Sequence, residues 1–208
     1  MSLIAKESSG GSFAPVPTGV HLACCYRIVD LGTQKTSFQG KDNFLHKILI
    51  QFEIHGDDEA GMPLMTAQGE PMSISKRYTL SLGEKSSLRK DLQSWRGKQF
   101  TADELRGFEL QNLLGAWCML NVTEDIGSDG KSYTNISAIT PVPAAMRKTL
   151  PDMQNESWIF SLDGFNQKLF DQLSPKLQET IKSSPEYHSL SQSDSYAVPV
   201  EDNDDVPF

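Results

Sequence analysis

What the chain lacks narrows it before any motif is considered. No apolar run approaches the ~18 residues that a membrane-spanning helix requires, and an apolar content of 38% is modest for 208 residues. No membrane partner is expected. Cysteine is scarce: Cys24, Cys25 and Cys118 are odd in number, two are adjacent, and all three lie within apolar runs. That is no disulfide framework, and reduced, buried thiols are expected. Residues 1–12 lack the basic region and apolar segment of a secretory signal. The protein is expected to stay in the compartment where it is made, and the Asn-x-Ser/Thr sequons at Asn121, Asn135 and Asn155 are discounted.

Enzyme signatures are missing as well. The histidines His21, His46, His55 and His188 have no ligand spacing, and no cysteine pair has the two-residue separation of a zinc site. Neither a nucleophile elbow nor a dinucleotide fingerprint occurs. Gly130-Lys131-Ser132 imitates the end of a phosphate-binding loop, but Asp125 stands where its first glycine is required, and a strand follows instead of a helix. Asp57-Asp58-Glu59 lies on a flexible segment, where a carboxylate run serves solvation and not a rigid metal-dependent nuclease centre. A non-enzymatic protein without cofactor or metal is expected.

Charge is present but unevenly divided. Residues 1–150 hold 16 basic and 16 acidic side chains, whereas residues 151–208 hold 3 and 11, a net of −8. A neutral body therefore carries an acidic appendage, and the overall pI of about 5.0 does not argue against nucleic acid.

Periodicity outlines the body. Residues 1–18 are rich in Ser, Gly and Pro and read as a flexible arm. Alternation predicts a strand over 20–31, a polar loop over 30–43, and a second strand over 44–55 with His46, Ile48, Ile50, Phe52 and Ile54 on one face and Lys47, Gln51 and Glu53 on the other. After an acidic excursion over 56–71, a third strand runs over 72–82, with Ile74, Tyr78 and Leu80 alternating against Ser73, Ser75, Arg77 and Thr79. Ser81 to Glu84 reads as a capping box opening a helix with Leu88, Leu92 and Trp95 on one stripe and a stop at Gly97; Thr101 to Glu104 reads as another. Strands over 116–123 and 131–139 flank an Asp-Gly turn.

This order predicts a mainly β fold with some α: a five-stranded oligonucleotide-binding barrel with helices between its third and fourth strands. The domain spans 19–150. Short helices over 166–173 and 175–183 form a small cap, 151–188, packed on the barrel, and 189–208 reads as a disordered linker and acidic tip.

In such a barrel the groove crosses the second and third strands between the first and last loops. The candidate cations are Lys35, Lys41, Lys47, Lys76, Arg77 and Lys131, and the candidate stacking rings are Phe38, Phe44 and Tyr133. Phe44 suits either core or groove, Tyr78 and Phe52 suit the core by parity, and Trp95 and Trp117 suit packing. From Lys76 to Lys98 seven basic residues face only Glu84 and Asp91, a local net of +5. Cations and flat rings are what an unpaired polynucleotide needs, phosphate attraction and base stacking both being indifferent to sequence.

The last eight residues, Glu201-Asp-Asn-Asp-Asp-Val-Pro-Phe208, set four carboxylates before an apolar tip. Asp202, Asp204, Asp205, Val206, Pro207 and Phe208 suit a basic-rimmed apolar pocket on another protein. The tip resembles the C-terminal peptide of bacterial and phage single-stranded DNA-binding proteins, which implies recruitment of replication, recombination and repair proteins. Ile74-Ser-Lys-Arg-Tyr-Thr-Leu-Ser-Leu82, Glu84-Lys-Ser-Ser-Leu-Arg-Lys-Asp-Leu92 and Trp95-Arg-Gly-Lys98 resemble a phage and prophage family associated with DNA replication and single-strand binding, over most of residues 15–188. That resemblance implies single-stranded DNA as partner and the cytoplasm of an infected or lysogenic bacterium as setting, with a homo-oligomer among the allowed assemblies. An alternative is an oligonucleotide-binding scaffold whose tail mimics the host tip to divert host enzymes. The separated charges also suggest a tail that competes with DNA for the groove.

Overall fold

The computed structural model describes residues 15–38, 40–58, 60–127 and 130–193, with backbone alone at 38 and 191–193. The element order is β1 (Gly19–Phe38), β2 (Lys41–His55), β3 (Ser73–Thr79), α1 (Ser87–Arg96), α2 (Ala102–Arg106), a 3-10 turn (Leu110–Leu113), β4 (Trp117–Ile126), β5 (Ser132–Thr140), β6 (Trp158–Phe160), α3 (Gln167–Asp171), α4 (Pro175–Lys182) and α5 (Pro185–Ser193). The fold is mainly β with some helix, and among the described residues no helix is long and apolar enough to cross a membrane.

The sheet has six strands in the order β3-β2-β1-β4-β5, with β6 added against β1. This corrects the expected five-stranded closed barrel. The extra strand arises because Trp158 and Phe160 alternate with exposed Ile159 and bury their rings, which a free segment could not do. The sheet is not closed: among the described residues no ladder joins its ends, β3 and β5. A side chain acts there instead, the Lys76 amine donating to the Ile136 carbonyl at 2.9 Å.

The described residues form two compact units, one of the residues up to Val29 with Leu49–Ile159, the other of Asp30–Ile48 with the residues from Phe160. In the first unit, β1 pairs antiparallel with β4 from Gly19 opposite Val122 to Cys24 opposite Trp117. Simple alternation fails in parts of β1 and β2. Ala23, Cys24, Cys25 and Tyr26 are buried in succession, as are Phe52, Glu53 and Ile54, because both faces of these strands are covered. The three thiols are free and buried, and burial pushes Cys24 up to about 12.

Helix α1 buries the expected stripe of Leu88, Leu92 and Trp95 and ends at Gly97, whose φ of 65° is the left-handed turn that glycine permits. Its start corrects the sequence reading. Ser86, not Ser81, is the N-cap, its Oγ accepting from Arg89 N at 3.4 Å. Ser81 to Ser86 is spent on a turn, closed by Ser86 N to Gly83 O at 2.9 Å. The second capping box is as read: Thr101 Oγ1 accepts from Glu104 N at 3.2 Å, and Glu104 Oε2 accepts from Thr101 N at 2.9 Å.

In the second unit the expected polar loop over 30–43 is replaced by strand. β1 continues to Phe38 and β2 begins at Lys41, around Gly40 with φ 75°. The polar side chains are held by the C-terminal helices: Thr33 donates from N and Oγ1 to Glu186, and Gln34 Nε2 donates to Leu31 O and Thr180 O. Phe160, Phe165, Phe170 and Tyr187 pack ring against ring at 5.4–5.9 Å. Helix α5 occupies the beginning of the segment read as linker.

Candidate nucleic-acid interface

The predicted contact residues fall into two groups, one in each unit. In the second unit, Lys35 on β1 and Lys41 and Phe44 on β2 are exposed, and Lys47 is half-buried. Lys35 is paired with Asp42 at 2.8 Å, both side chains remaining about half solvent-exposed or more at 60% and 48%. Phe44 is 65% exposed, which decides against its core alternative. Phe38 ends β1, and its side chain lies outside the described part of the structure.

Two carboxylates position this strand pair. Asp30 Oδ1 accepts from Gly32 N at 2.9 Å and lies 2.7 Å from His46 Nε2, while Oδ2 accepts from Leu162 N at 3.3 Å. His46 Nδ1 lies 3.5 Å from Glu186 Oε1. Burial alone would push Glu186 up, but the hydroxyl and amide of Thr33, with His46 beside them, hold its carboxyl below the usual range. His46 thus stands between two carboxylates, one from the start of its own strand pair and one from α5. Nothing in the sequence pairs these residues, since they are far apart along the chain.

In the first unit, β3 separates its two cations by parity. Arg77 is exposed on the face shared with Ser73 and Ser75, without a hydrogen-bond or ion-pair partner among the described residues. Lys76 lies on the other face and is engaged: its amine is 2.8 Å from Asp91 Oδ2, which also accepts from Tyr78 Oη at 2.8 Å. Burial, with the Asp91 carboxylate beside it, pushes the Tyr78 phenol up strongly. Lys131 is exposed immediately before β5, and Tyr133, on β5 opposite Asp125, is 48% exposed. Of the remaining basic run, Arg89 donates to Leu82 O at 3.2 Å and Arg96 is paired with Glu104. Lys85, in the turn before α1, and Lys90, on α1, are both exposed.

Two features of the first unit escaped the sequence reading. Glu53, predicted on a polar face, has no solvent exposure. It accepts from Gln154 N at 3.0 Å and from Asn155 N and Nδ2 at 2.8 Å, with His55 Nε2 at 2.7 Å. Burial would push this carboxyl up, but His55 and the Asn155 and Gln154 donors outweigh it and hold it below its usual range. The available signal was a lone carboxylate inside an apolar strand run with a histidine two residues on, the spacing of one strand face. The second feature is an open cleft of about 500 Å³ with Trp95, Phe108 and Trp117 as its rings, Leu113, Val142 and Leu150 among its aliphatic walls, and Arg96, Arg147 and Asn112 as its polar groups.

Among the described residues no group of three or more His, Cys, Asp or Glu side chains could hold a metal ion. The predicted partner-binding residues Asp202, Asp204, Asp205, Val206, Pro207 and Phe208 lie outside the described residues. The chain matches no protein-family model and no curated protein.

Proposed function

We propose that the chain is a non-enzymatic, sequence-independent single-stranded DNA-binding protein of phage replication or recombination, with a partly open sheet of the oligonucleotide-binding type. The observation that carries the reading is Phe44, a large ring 65% exposed within a strand, on the same strand as Lys41 and in the same unit as Lys35. Solvent exposure of such a ring forgoes its burial energy, and base stacking is a use that recovers it. Arg77 and Tyr133 offer a second exposed cation and ring. The strand order, with β1 between β2 and β4 and α1 between β3 and β4, supports the oligonucleotide-binding type, itself a partly open barrel in its known forms. The acidic tip is the proposed recruiting peptide for replication, repair and recombination proteins.

The test is a gel-shift titration with oligothymidine. Phe44→Ala is expected to weaken binding roughly tenfold, as loss of one base stack does, with thermal stability unchanged because the ring is not in the core. Unaltered affinity in this variant would remove Phe44 from the interface and with it the main support for the reading.

A further inference from the structure

The cleft of the first unit has no part in the strand-binding face described above, yet it is furnished for a ligand. Its volume of about 500 Å³ falls in the range of small-molecule pockets, roughly 300–1,000 Å³, which are mostly apolar with a few fixed polar groups. Arg96 is the best fixed of these. Its guanidinium lies 4.6 Å from the Phe100 ring centre and 5.0 Å from that of Phe108, and its Nη2 is paired with Glu104. Its Nη1 is closed off from solvent and has no hydrogen-bond acceptor among the described residues, so what Arg96 lends the cleft is its fixed positive charge and not an open donor. Arg147 is anchored by its Nε to the Val142 carbonyl at 2.9 Å, while the residue itself is exposed.

We propose that this cleft binds a nucleoside monophosphate unit, with the base laid against Trp117 and Phe108 and the phosphate held by Arg147 beside the fixed charge of Arg96. Charge argues for this occupant. Two guanidiniums face one described carboxylate partner, Glu104, so a positive charge is left for a phosphate, the group guanidinium forks match best. Ring chemistry agrees: Trp117 and Phe108 are both half-buried and line the same cleft, leaving aromatic surface to a flat ligand, and the Asn112 amide offers both donor and acceptor to a base edge. The same chemistry is presented by a free nucleotide and by the phosphorylated 5′ end of a strand. This site goes beyond the strand-binding reading and stands or falls separately from it.

The experiment titrates the full chain with thymidine monophosphate and with thymidine, following tryptophan fluorescence, and repeats both with Arg147→Gln and Trp117→Phe. Arg147 is exposed, so its replacement leaves the fold intact. Thymidine monophosphate is expected to bind at least tenfold more tightly than thymidine, and Arg147→Gln to weaken the monophosphate roughly tenfold while leaving thymidine unchanged. Oligothymidine with and without a 5′ phosphate distinguishes the sources: a preference for the phosphorylated end assigns the site to strand termini, and its absence with monophosphate binding retained assigns it to free nucleotide. Equal binding of nucleoside and nucleotide, or no loss in Arg147→Gln, would each overturn the proposal. Arg147→Gln is expected to bind unphosphorylated oligothymidine as the unaltered chain does, which separates failure here from failure of the strand-binding reading.

Discussion

Glu53 ties the Gln154–Asn155 segment to β2, because a carboxylate with no solvent exposure is tolerable only while its acceptor positions are filled. Its donors come from His55 and from the backbone and side chain around Gln154 and Asn155. Glu53→Ala leaves these donors without their acceptor and is expected to cost about 3 kcal/mol in urea denaturation. Glu53→Gln, which turns one acceptor oxygen into a donor amide, is expected to cost about 1–3 kcal/mol. The pH dependence has a definite sign. The folded-state carboxyls of Glu53 and Glu186 are held below the usual value of 4.5, so their stabilisation is complete above that value and is lost as pH falls through the lower folded value. Stability measured by denaturation is expected to be level from neutral pH to about 5 on their account and to decline below 4.5, with less decline in Glu53→Gln. A second residue-scale dependence lies at Gly32, whose φ is 68° and where a Cβ would sit 2.5 Å from that of Ser184 and 2.9 Å from Leu162 Cδ1. Gly32→Ala combines a left-handed backbone with a clash and is expected to lower stability by about 2–4 kcal/mol, read from the denaturation midpoint.

Among the elements, α1 tests which serine begins a helix. Ser86→Ala removes the cap and is expected to cost about 1 kcal/mol, whereas Ser81→Ala is expected to change stability by no more than about 0.5 kcal/mol; the reverse order would return the cap to Ser81. The stripe of Leu88, Leu92 and Trp95 and the stop at Gly97 were legible because helical periodicity and a left-handed terminus are local facts of the chain. So was the capping box at Thr101. The 30–43 stretch was misread for the opposite reason. Thr33 and Gln34 are polar, and what makes them strand is the helical segment some 150 positions away that accepts their hydrogen bonds. Helix α5 was lost to its serines, which favour loops in isolation; its ordering rests on Glu186 with Thr33 and on Tyr187 against Phe165 and Phe170. Of the candidate interface, the parity of Arg77 and Tyr78 on β3 was legible from alternation. The occupation of Lys76 by Asp91 and the Ile136 carbonyl was not, since both partners are tertiary.

For the whole molecule, the division of charge is the property that bears on function. Residues 1–150 are electrically balanced, so attraction to a polynucleotide must come from where cations are placed and not from net charge. Arg77, Lys41 and Lys35 are exposed, and phosphate contacts made by such groups release counterions on binding. Binding of the full chain to oligothymidine as a function of salt, with a duplex of equal length as control, decides whether these cations serve a single strand. Saturable binding to the single strand is expected, with an affinity that falls as salt rises with a slope reflecting a few phosphate contacts, and much weaker binding to the duplex. No binding to oligothymidine in dilute buffer, or equal affinity for the duplex, would contradict the strand-binding reading.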